Sequence, residues 1–130
     1  MTQLAKELSQ NLELTLDFMA VTSYGNEAKS GGVVRIIKDL DEPIIDQNVL
    51  VVEDIIDSGW TLHYLLDLLK DRRPASLKLT TLLDKPSRRE IEVNVDYIGF
   101  QIDDLFVVGY GLDYAQKHRA LPYIGVVSTD

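Results

Sequence analysis

VLVVEDIIDSGWTL, at residues 49–62, is the stretch of this chain that decides the fold. Its first four residues form an apolar run without alternation, which is typical of a strand covered on both faces in a parallel sheet flanked by helices. Two adjacent carboxylates, Glu53 and Asp54, come next, and a short Asp-Ser-Gly-x-Thr turn then leads into an amphipathic helix. Because the first amides of a helix lack partners and two hydroxyls stand beside them, the turn predicts an anion site. Acids next to such a site indicate a sugar phosphate and a divalent cation as ligands.

The composition bounds the class of protein. The chain has 130 residues, enough for one domain with a sizeable core, and 45% of them are hydrophobic. Its net charge of −8 disfavours non-specific binding to nucleic acid, which needs a positive surface. No apolar run approaches the roughly 20 residues of a membrane span, no secretory signal is visible, and there is no cysteine. We therefore expect a single cytoplasmic domain over residues 1–130, with neither nucleic acid nor membrane as a partner.

Hydrophobic periodicity predicts an alternation of strands and helices. We expect helices over residues 3–12 and about 61–71, and strands over residues 14–21, 33–40, 49–53, 77–83, 97–101 and 124–128. Taken alone, residues 106–108 also predict a core strand. Residues 22–32 contain three glycines and no apolar period, which predicts a flexible loop of the kind that forms lids. The alternation from the middle of the chain onward predicts an α/β fold with a mostly parallel sheet.

Several segments of the chain resemble one family. Residues 49–62 resemble the diphosphosugar-binding signature of the type I phosphoribosyltransferases, which fixes phosphoribosyl pyrophosphate as the donor but leaves the acceptor open. Residues 82–89 (LLDKPSRR) and 106–114 (FVVGYGLDY) look like the purine-site segments of the hypoxanthine-guanine phosphoribosyltransferases, and residues 17–25 (DFMAVTSYG) resemble their strand leading into the active-site lid. The resemblance implies a Rossmann-like fold in which helices flank a mostly parallel sheet.

The resemblance also implies how the donor is bound. Glu53 and Asp54 would hold the ribose hydroxyls, directly or through magnesium-bound water, because carboxylates accept hydrogen bonds from neighbouring hydroxyls. Asp57 would be the catalytic residue, placed near N7 of the purine as a general base or as a stabiliser of positive charge on the base. The 5′-phosphate would be bound by the backbone amides and hydroxyls of Ser58, Gly59, Trp60 and Thr61. Trp60 is unusual in such a turn, and nothing in the sequence explains it.

Residues further along the chain would bind the base and the pyrophosphate. Lys85 would donate to the exocyclic 6-oxygen, which favours a 6-oxo purine over adenine because an ammonium group only donates. Phe106 would stack on the purine ring, and Val107 would supply main-chain contacts to its edge. Asp113 would contact a second magnesium ion on the pyrophosphate side, and Arg119 would assist the pyrophosphate.

The implied reaction is purine salvage with Mg²⁺ as cofactor. The 5-phosphoribosyl group would pass from phosphoribosyl pyrophosphate to hypoxanthine or guanine, giving IMP or GMP and pyrophosphate. Ser23, Tyr24 and the rest of residues 22–32 would form a lid that keeps water from the oxocarbenium-like carbon. The family implies a homodimer or homotetramer. The sequence leaves the preference among hypoxanthine, guanine and xanthine open.

The match departs from the family at the start of the chain. Full-length relatives begin with several dozen residues that include a core strand and a pyrophosphate-binding Leu-Lys-Gly loop, and the Lys-Ser-Gly tripeptide at residues 29–31 is no substitute. We therefore expect the first core strand of the sheet to be missing. The chain would be a fragment, a misjudged start or a naturally short form, with its own activity left open.

Two other functions stay open at this point. A regulator with the phosphoribosyltransferase fold would bind nucleotides or RNA with little or no transfer; the net charge of −8 speaks against an RNA surface, and Asp57 and Lys85 speak for catalysis. A phospho-acceptor signalling domain would need an acidic pair after its first strand, whereas Asp17 stands alone inside a predicted strand.

Overall fold

Three parallel strands form the sheet on which the site is built in this computed structural model, which describes residues 1–23 and 34–128. Strand β3 (Asn48–Ile56) pairs in parallel with β4 (Ser76–Asp84), and β4 pairs in parallel with β5 (Tyr97–Gln101). Helix α2 (Trp60–Asp71) connects β3 to β4. The predicted parallel sheet is therefore confirmed, and β5 has the predicted bounds. Within the described ranges β3 pairs only with β4, so it is an edge strand there.

The core lies between α2 and the sheet. The helix carries apolar residues at a spacing of three and four, so that one face of it is buried. That face packs on β3 and β4 in one cluster of buried side chains: Ile56, Leu62, Leu65, Leu66, Leu69 and Leu79. The predicted helix end at Arg72 is confirmed, since the helix closes there and Arg73 takes a positive φ of 57° before the proline.

Shorter elements surround this sheet. Helix α1 (Thr2–Leu8) opens the chain, and β1 (Ala20–Ser23) pairs with β2 (Val34–Lys38) in an antiparallel hairpin. A 3₁₀ turn (Pro86–Arg88) follows β4, and β6 (Val107–Val108) pairs with β7 (Gly125–Val126) antiparallel. In the described part of the chain, no helix has the length and apolar character that crossing a bilayer requires.

Some predicted bounds at the start of the chain were wrong. The first helix ends at Leu8 rather than at residue 12, because Asn11 and Leu12 both donate to the Leu8 carbonyl and close a turn. Residues 14–19 form no strand. The Asp17 carboxylate there accepts hydrogen bonds from the amides of residues 18, 41 and 42, and this fixes the segment without a ladder.

The observed ends of two strands also differ from the predicted ones. Strand β3 runs three residues past its predicted end at Glu53, through Asp54 to Ile56. Residues 124–128 shorten to the two-residue strand β7. The residues predicted as a lid lie outside the described ranges, except Thr22 and Ser23 at the end of β1. The single-domain assignment of residues 1–130 stays a prediction.

Replacing a buried residue of β4 tests the core. Leu79 is 1% exposed, so Leu79→Ala leaves a cavity and should lower the free energy of unfolding by about 3 kcal/mol. Urea denaturation followed by circular dichroism measures this loss. Leu12→Ala is the matched control, because Leu12 is 59% exposed and loses few contacts. Equal midpoints for the two variants would contradict this assignment of the core.

Candidate active site

The ends of β3 and β4 place the predicted catalytic aspartate beside a buried lysine. Lys85 directly follows β4, and its amide donates to the Ile56 carbonyl at the end of β3 over 3.0 Å. Its side chain is 9% exposed, and its Nζ lies 3.6 Å from Oδ1 of Asp57 and 3.9 Å from Oδ1 of Asp104. A buried ammonium group needs negative partners, and these two carboxylates supply them. The side chains of these two aspartates, Asp57 and Asp104, are half exposed, so a ligand can reach them.

A cavity of about 460 Å³ opens over this lysine. Its volume is in the range of small-molecule sites. Seven of the residues predicted for the site line it together: Asp54, Asp57, Lys85, Phe106, Val107, Asp113 and Arg119. The structure therefore brings together residues from three separated segments of the chain, as expected for groups at the carboxyl ends of parallel strands.

The turn between β3 and α2 has the geometry of an anion site. Gly59 is the N-cap residue of α2 with φ 89°, and the helix has no side-chain cap hydrogen bond. The amides of Trp60 and Thr61 therefore have no partner within the helix, because the first amides of a helix precede its hydrogen-bonding pattern. Asp57 precedes the cap by two residues, so the simple capping role that its sequence position also allows does not apply.

Glycine is required at the cap for two reasons. Its left-handed backbone disfavours other residues, and a Cβ atom there would lie 2.9 Å from Cγ2 of Val93 and 3.0 Å from Cδ of Arg89. The turn is thus packed closely against residues 89–93. The residues predicted to bind phosphate, Ser58 to Thr61, lie beside the cavity in sequence but do not line it.

Glu53 is separated from the other predicted ligands. It lines a different cavity, together with core-facing residues such as Leu65 and Leu69, whereas Asp54 lines the cavity over Lys85. The reason is that β3 continues past Glu53, and neighbouring residues of a strand point to opposite faces. This placement does not support the shared role predicted for Glu53 and Asp54 on one ribose or one metal ion.

Burial also changes the charge of Glu53. Removal from water raises its pKa to about 7, and the nearby Asp54 carboxylate adds to the rise. The Glu53 side chain is therefore largely neutral below pH 7 in the metal-free protein.

Asp54 and Asp113 are the acids that fit Mg²⁺. Both line the cavity, and their carboxylate oxygens are the donors that this ion prefers. No three His, Cys, Asp or Glu side chains come together as ligands in residues 1–23 and 34–128. Mg²⁺ is commonly held by one or two carboxylates with substrate phosphates and water completing its shell, so a magnesium site here needs no cluster of three protein ligands.

Phe106 lies at the surface of the cavity rather than in the core. Its ring is 52% exposed and meets Tyr114 edge to face at 5.6 Å between centroids. The core strand predicted at residues 106–108 is reduced to Val107 and Val108, and only Val108 is buried. Val127 donates to the Phe106 carbonyl over 2.9 Å, which fixes the backbone next to the cavity.

Arg119 braces the loop that carries Asp113. Its Nη1 donates to the Gly111 carbonyl over 2.8 Å, and its Nη2 lies 3.1 Å from Oδ1 of Asp113. The guanidinium group thus fixes the position of this carboxylate. The predicted role of Arg119 in binding pyrophosphate stays a prediction.

Sequence reasoning missed two charged residues that line the cavity, Arg88 and Asp104. Arg88 Nη1 lies 3.3 Å from Oδ2 of Asp104, and both face the space over Lys85. Their places in the sequence could have indicated both residues. Arg88 belongs to the segment 82–89 that resembles a purine-site segment, and Asp104 precedes Phe106 by two residues. Of the two residues predicted for the lid, Tyr24 lies outside the described residues and Ser23 is described by its backbone alone.

The raised pKa of Glu53 predicts a pH dependence of stability. Between about pH 4.5 and 7 the unfolded chain ionises while the folded chain keeps the proton, so the free energy of unfolding falls as pH rises. Above pH 7 the full cost, at most roughly 3 kcal/mol, is present. Glu53→Gln should therefore stabilise the protein at pH 8 and have little effect at pH 4.5. Urea denaturation in metal-free buffer at both pH values measures this difference.

The control for this experiment is Glu92→Gln, which removes the charge of an exposed glutamate. It should leave the pH dependence of the parent chain unchanged. If Glu53→Gln and the parent chain gave parallel stability curves, the burial of an ionisable carboxyl at this position would be refuted.

Comparison with known proteins shows close relatives. A family model described as a phosphoribosyl transferase domain matches residues 2–115. The hypoxanthine-guanine phosphoribosyltransferase of Bacillus subtilis is 53% identical over 127 residues, which make up 98% of this chain and 69% of that protein. The bifunctional protein TilS/HprT of Listeria monocytogenes is 55% identical over all 130 residues, and the chain spans 20% of its length.

Solved structures are similar over nearly the whole chain. A hypoxanthine-guanine phosphoribosyltransferase of Bacillus anthracis superimposes with a TM-score of 0.89 at 48% identity, covering 95% of this chain and 74% of that one. A hypoxanthine phosphoribosyltransferase of Trypanosoma cruzi, solved as a complex with its substrates, gives 0.93 at 40% identity, covering 98% of this chain and 69% of that one. The similarity thus extends to sequence as well as fold.

Proposed function

This chain belongs to the phosphoribosyltransferase family and has its type I fold, and from that premise we propose that it transfers the 5-phosphoribosyl group from phosphoribosyl pyrophosphate to hypoxanthine or guanine. The products are IMP or GMP and pyrophosphate, which makes the reaction a step of purine salvage. The names of relatives at 53–57% identity support the acceptor class. A homodimer or homotetramer and a cytoplasmic location remain predictions.

The observation that carries the proposal is the meeting of Asp57, Lys85 and Phe106 in one cavity, close in sequence to the first amides of α2, which have no partner within the helix. These groups match three parts of the reacting pair. The amides suit a phosphate, the aromatic ring suits a flat heterocycle, and the charged pair suits a base that carries both an oxygen acceptor and an N–H donor. A pure nucleotide-binding module needs no carboxylate beside the reacting nitrogen.

The reaction forms a bond from a purine nitrogen to C1 of the ribose and breaks the bond from C1 to the pyrophosphate oxygen. The electron pair of the broken bond leaves with pyrophosphate, and the purine loses one N–H proton. The Asp57 carboxylate takes this proton or stabilises the positive charge that the base gains in the transition state. Its side chain is 51% exposed, so a base in the cavity can reach it.

Lys85 orients the base and selects its class. Its ammonium group donates to the 6-oxygen of hypoxanthine or guanine and has no acceptor for the 6-amino group of adenine. Lys85 also lies 3.6 Å from Asp57, so the lysine and the proposed proton acceptor face the same base. Phe106 covers one face of the ring, which restricts the base to the plane in which its nitrogen meets C1.

The α2 turn and the acids position the donor. The amides of Trp60 and Thr61 bind the 5′-phosphate, where the positive end of the helix dipole adds to the attraction. Asp54 and Asp113 would hold Mg²⁺, which when bound offsets the charge of the leaving pyrophosphate. Arg119 keeps Asp113 in place for this role. Positioning and electrostatics thus supply the acceleration, and the protein forms no covalent intermediate.

Asp57→Asn tests the catalytic assignment. The amide keeps the size of the side chain but accepts no proton, so kcat should fall by about 10²–10⁴-fold while the KM for phosphoribosyl pyrophosphate changes only a few-fold. Formation of IMP from hypoxanthine, phosphoribosyl pyrophosphate and Mg²⁺ is followed by ultraviolet absorbance. Asp71→Asn is the control, because this exposed residue at the end of α2 lies outside the cavity.

The outcomes separate enzyme from regulator. A parent chain that binds the donor but forms no IMP or GMP would overturn the proposed transfer and favour the nucleotide-binding alternative. Transfer with adenine as readily as with hypoxanthine would overturn the role given to Lys85. Equal kcat for the parent chain and Asp57→Asn would remove Asp57 from the chemistry.

A further inference from the structure

We propose that Trp60 and Glu90 form a latch that holds the phosphate-binding turn in its binding shape. The turn is residues 57–61, and the latch acts from residues 89–91, on the side away from the amides that face a ligand. This inference rests on the proposed function, since it deepens the role of the same turn. It gives the side chain of Trp60 a positioning function, without contact between the indole and the substrate.

Glu90 contacts the turn twice. Its side-chain Oε2 accepts a hydrogen bond of 2.8 Å from the indole Nε1 of Trp60, and its backbone amide donates to the Ser58 carbonyl over 3.0 Å. The amide of Ile91 also donates to the Ser58 carbonyl, at 3.4 Å. The two contacts of Glu90 lie on either side of Gly59, so one residue spans the cap of the helix.

A second carbonyl of the turn is held by Arg89. Its Nε donates to the Asp57 carbonyl over 3.1 Å. Its guanidinium group is paired with Asp84, which is only 3% exposed at the end of β4. Because Asp84 belongs to the central strand, this pair anchors residues 89–91 to the sheet.

Fixing these carbonyls also fixes the amides of Ser58 and Gly59, which the sequence predicts as phosphate ligands together with those of Trp60 and Thr61. In a trans peptide the C=O and the N–H of the next residue point in opposite directions. With the carbonyls of Asp57 and Ser58 directed toward residues 89–91, the amides of Ser58 and Gly59 point the other way, where a run of amides can surround a phosphate. A turn released from these contacts would lose this common direction.

The packing of the turn makes the latch effective. The Gly59 Cα faces Val93 and Arg89 without room for a further carbon atom, so residues 89–93 pack directly against the turn. Trp60 is held along the helix as well, because its ring stacks on Tyr64 one turn later, with 6.2 Å between centroids and an interplanar angle of 22°. A smaller residue at position 60 would provide neither the indole donor nor this stack.

The test compares variants that remove the hydrogen bond but keep most of the shape. Trp60→Phe keeps an aromatic ring and loses the donor, and Glu90→Ala loses the acceptor. Each should weaken binding of ribose 5-phosphate by about tenfold, since a hydrogen bond to a charged group is lost. The double variant should bind no more weakly than either single variant, because both changes break one interaction. Isothermal titration calorimetry gives the dissociation constants.

Two further variants separate positioning from general destabilisation. Glu90→Gln keeps an acceptor oxygen and should restore binding to within about threefold of the parent chain. Glu92→Gln removes a neighbouring exposed charge and should bind as the parent chain does. In steady-state kinetics the latch variants should raise the KM for phosphoribosyl pyrophosphate while the KM for hypoxanthine stays unchanged, a split that partial unfolding would not produce.

The results distinguish this proposal from the proposed function. Unchanged binding of ribose 5-phosphate in Trp60→Phe and Glu90→Ala would overturn the latch, as would a parent chain that does not bind this probe. A parent chain that binds ribose 5-phosphate but forms no IMP would overturn the transfer reaction alone, and the binding constants would still decide the latch. Failure of Glu90→Gln to rescue binding would also count against it.

Discussion

The buried ammonium group of Lys85 is the constraint on which the arrangement of the site depends. A charge at 9% exposure is costly without partners, and its partners come from two different segments, Asp57 after β3 and Asp104 before β6. Lys85 thus brings together three segments of the chain: the one after β3, the one after β4 and the one before β6. Its own amide bonds the end of β3, so its position is set by the backbone of the parallel pair. The Asp57 carboxylate lies beside a cation because of this geometry.

Parallel pairing explains why the site lies where it does. Each strand of the sheet ends at the same edge, so the residues after β3 and β4 become neighbours although about 30 residues separate them in sequence. The register places Ile56 beside Asp84, one residue before Lys85. The core cluster under α2 holds this register, because a shift would turn Leu79 away from the helix leucines. Core packing and site geometry therefore depend on the same alignment of strands.

Local pattern was sufficient for the central strands and α2, and it failed where distant contacts decide. The apolar run of β3 and the leucine spacing of α2 predicted both elements, and the family motifs placed Asp57 and Lys85 together. The orientation of Glu53 was not predictable from the apolar run, because the run gives no sign that the strand continues through two acids. The pairing of Arg88 with Asp104 and of Arg89 with Asp84 depends on how loops fold back, which sequence spacing does not encode.

The sequence leaves Trp60 unexplained, and the structure explains it through a contact with a distant residue. A large aromatic residue in a phosphate turn conflicts with what the turn alone requires, and such conflicts are expected where a site is shaped by contacts from elsewhere. Here the partner is Glu90, thirty residues along the chain, on a segment that the buried Asp84 secures through Arg89. The turn thus contacts the loop after β4, which also carries Lys85. In the proposed reaction this one loop would position both the phosphate and the purine, since Glu90 is only five residues after Lys85.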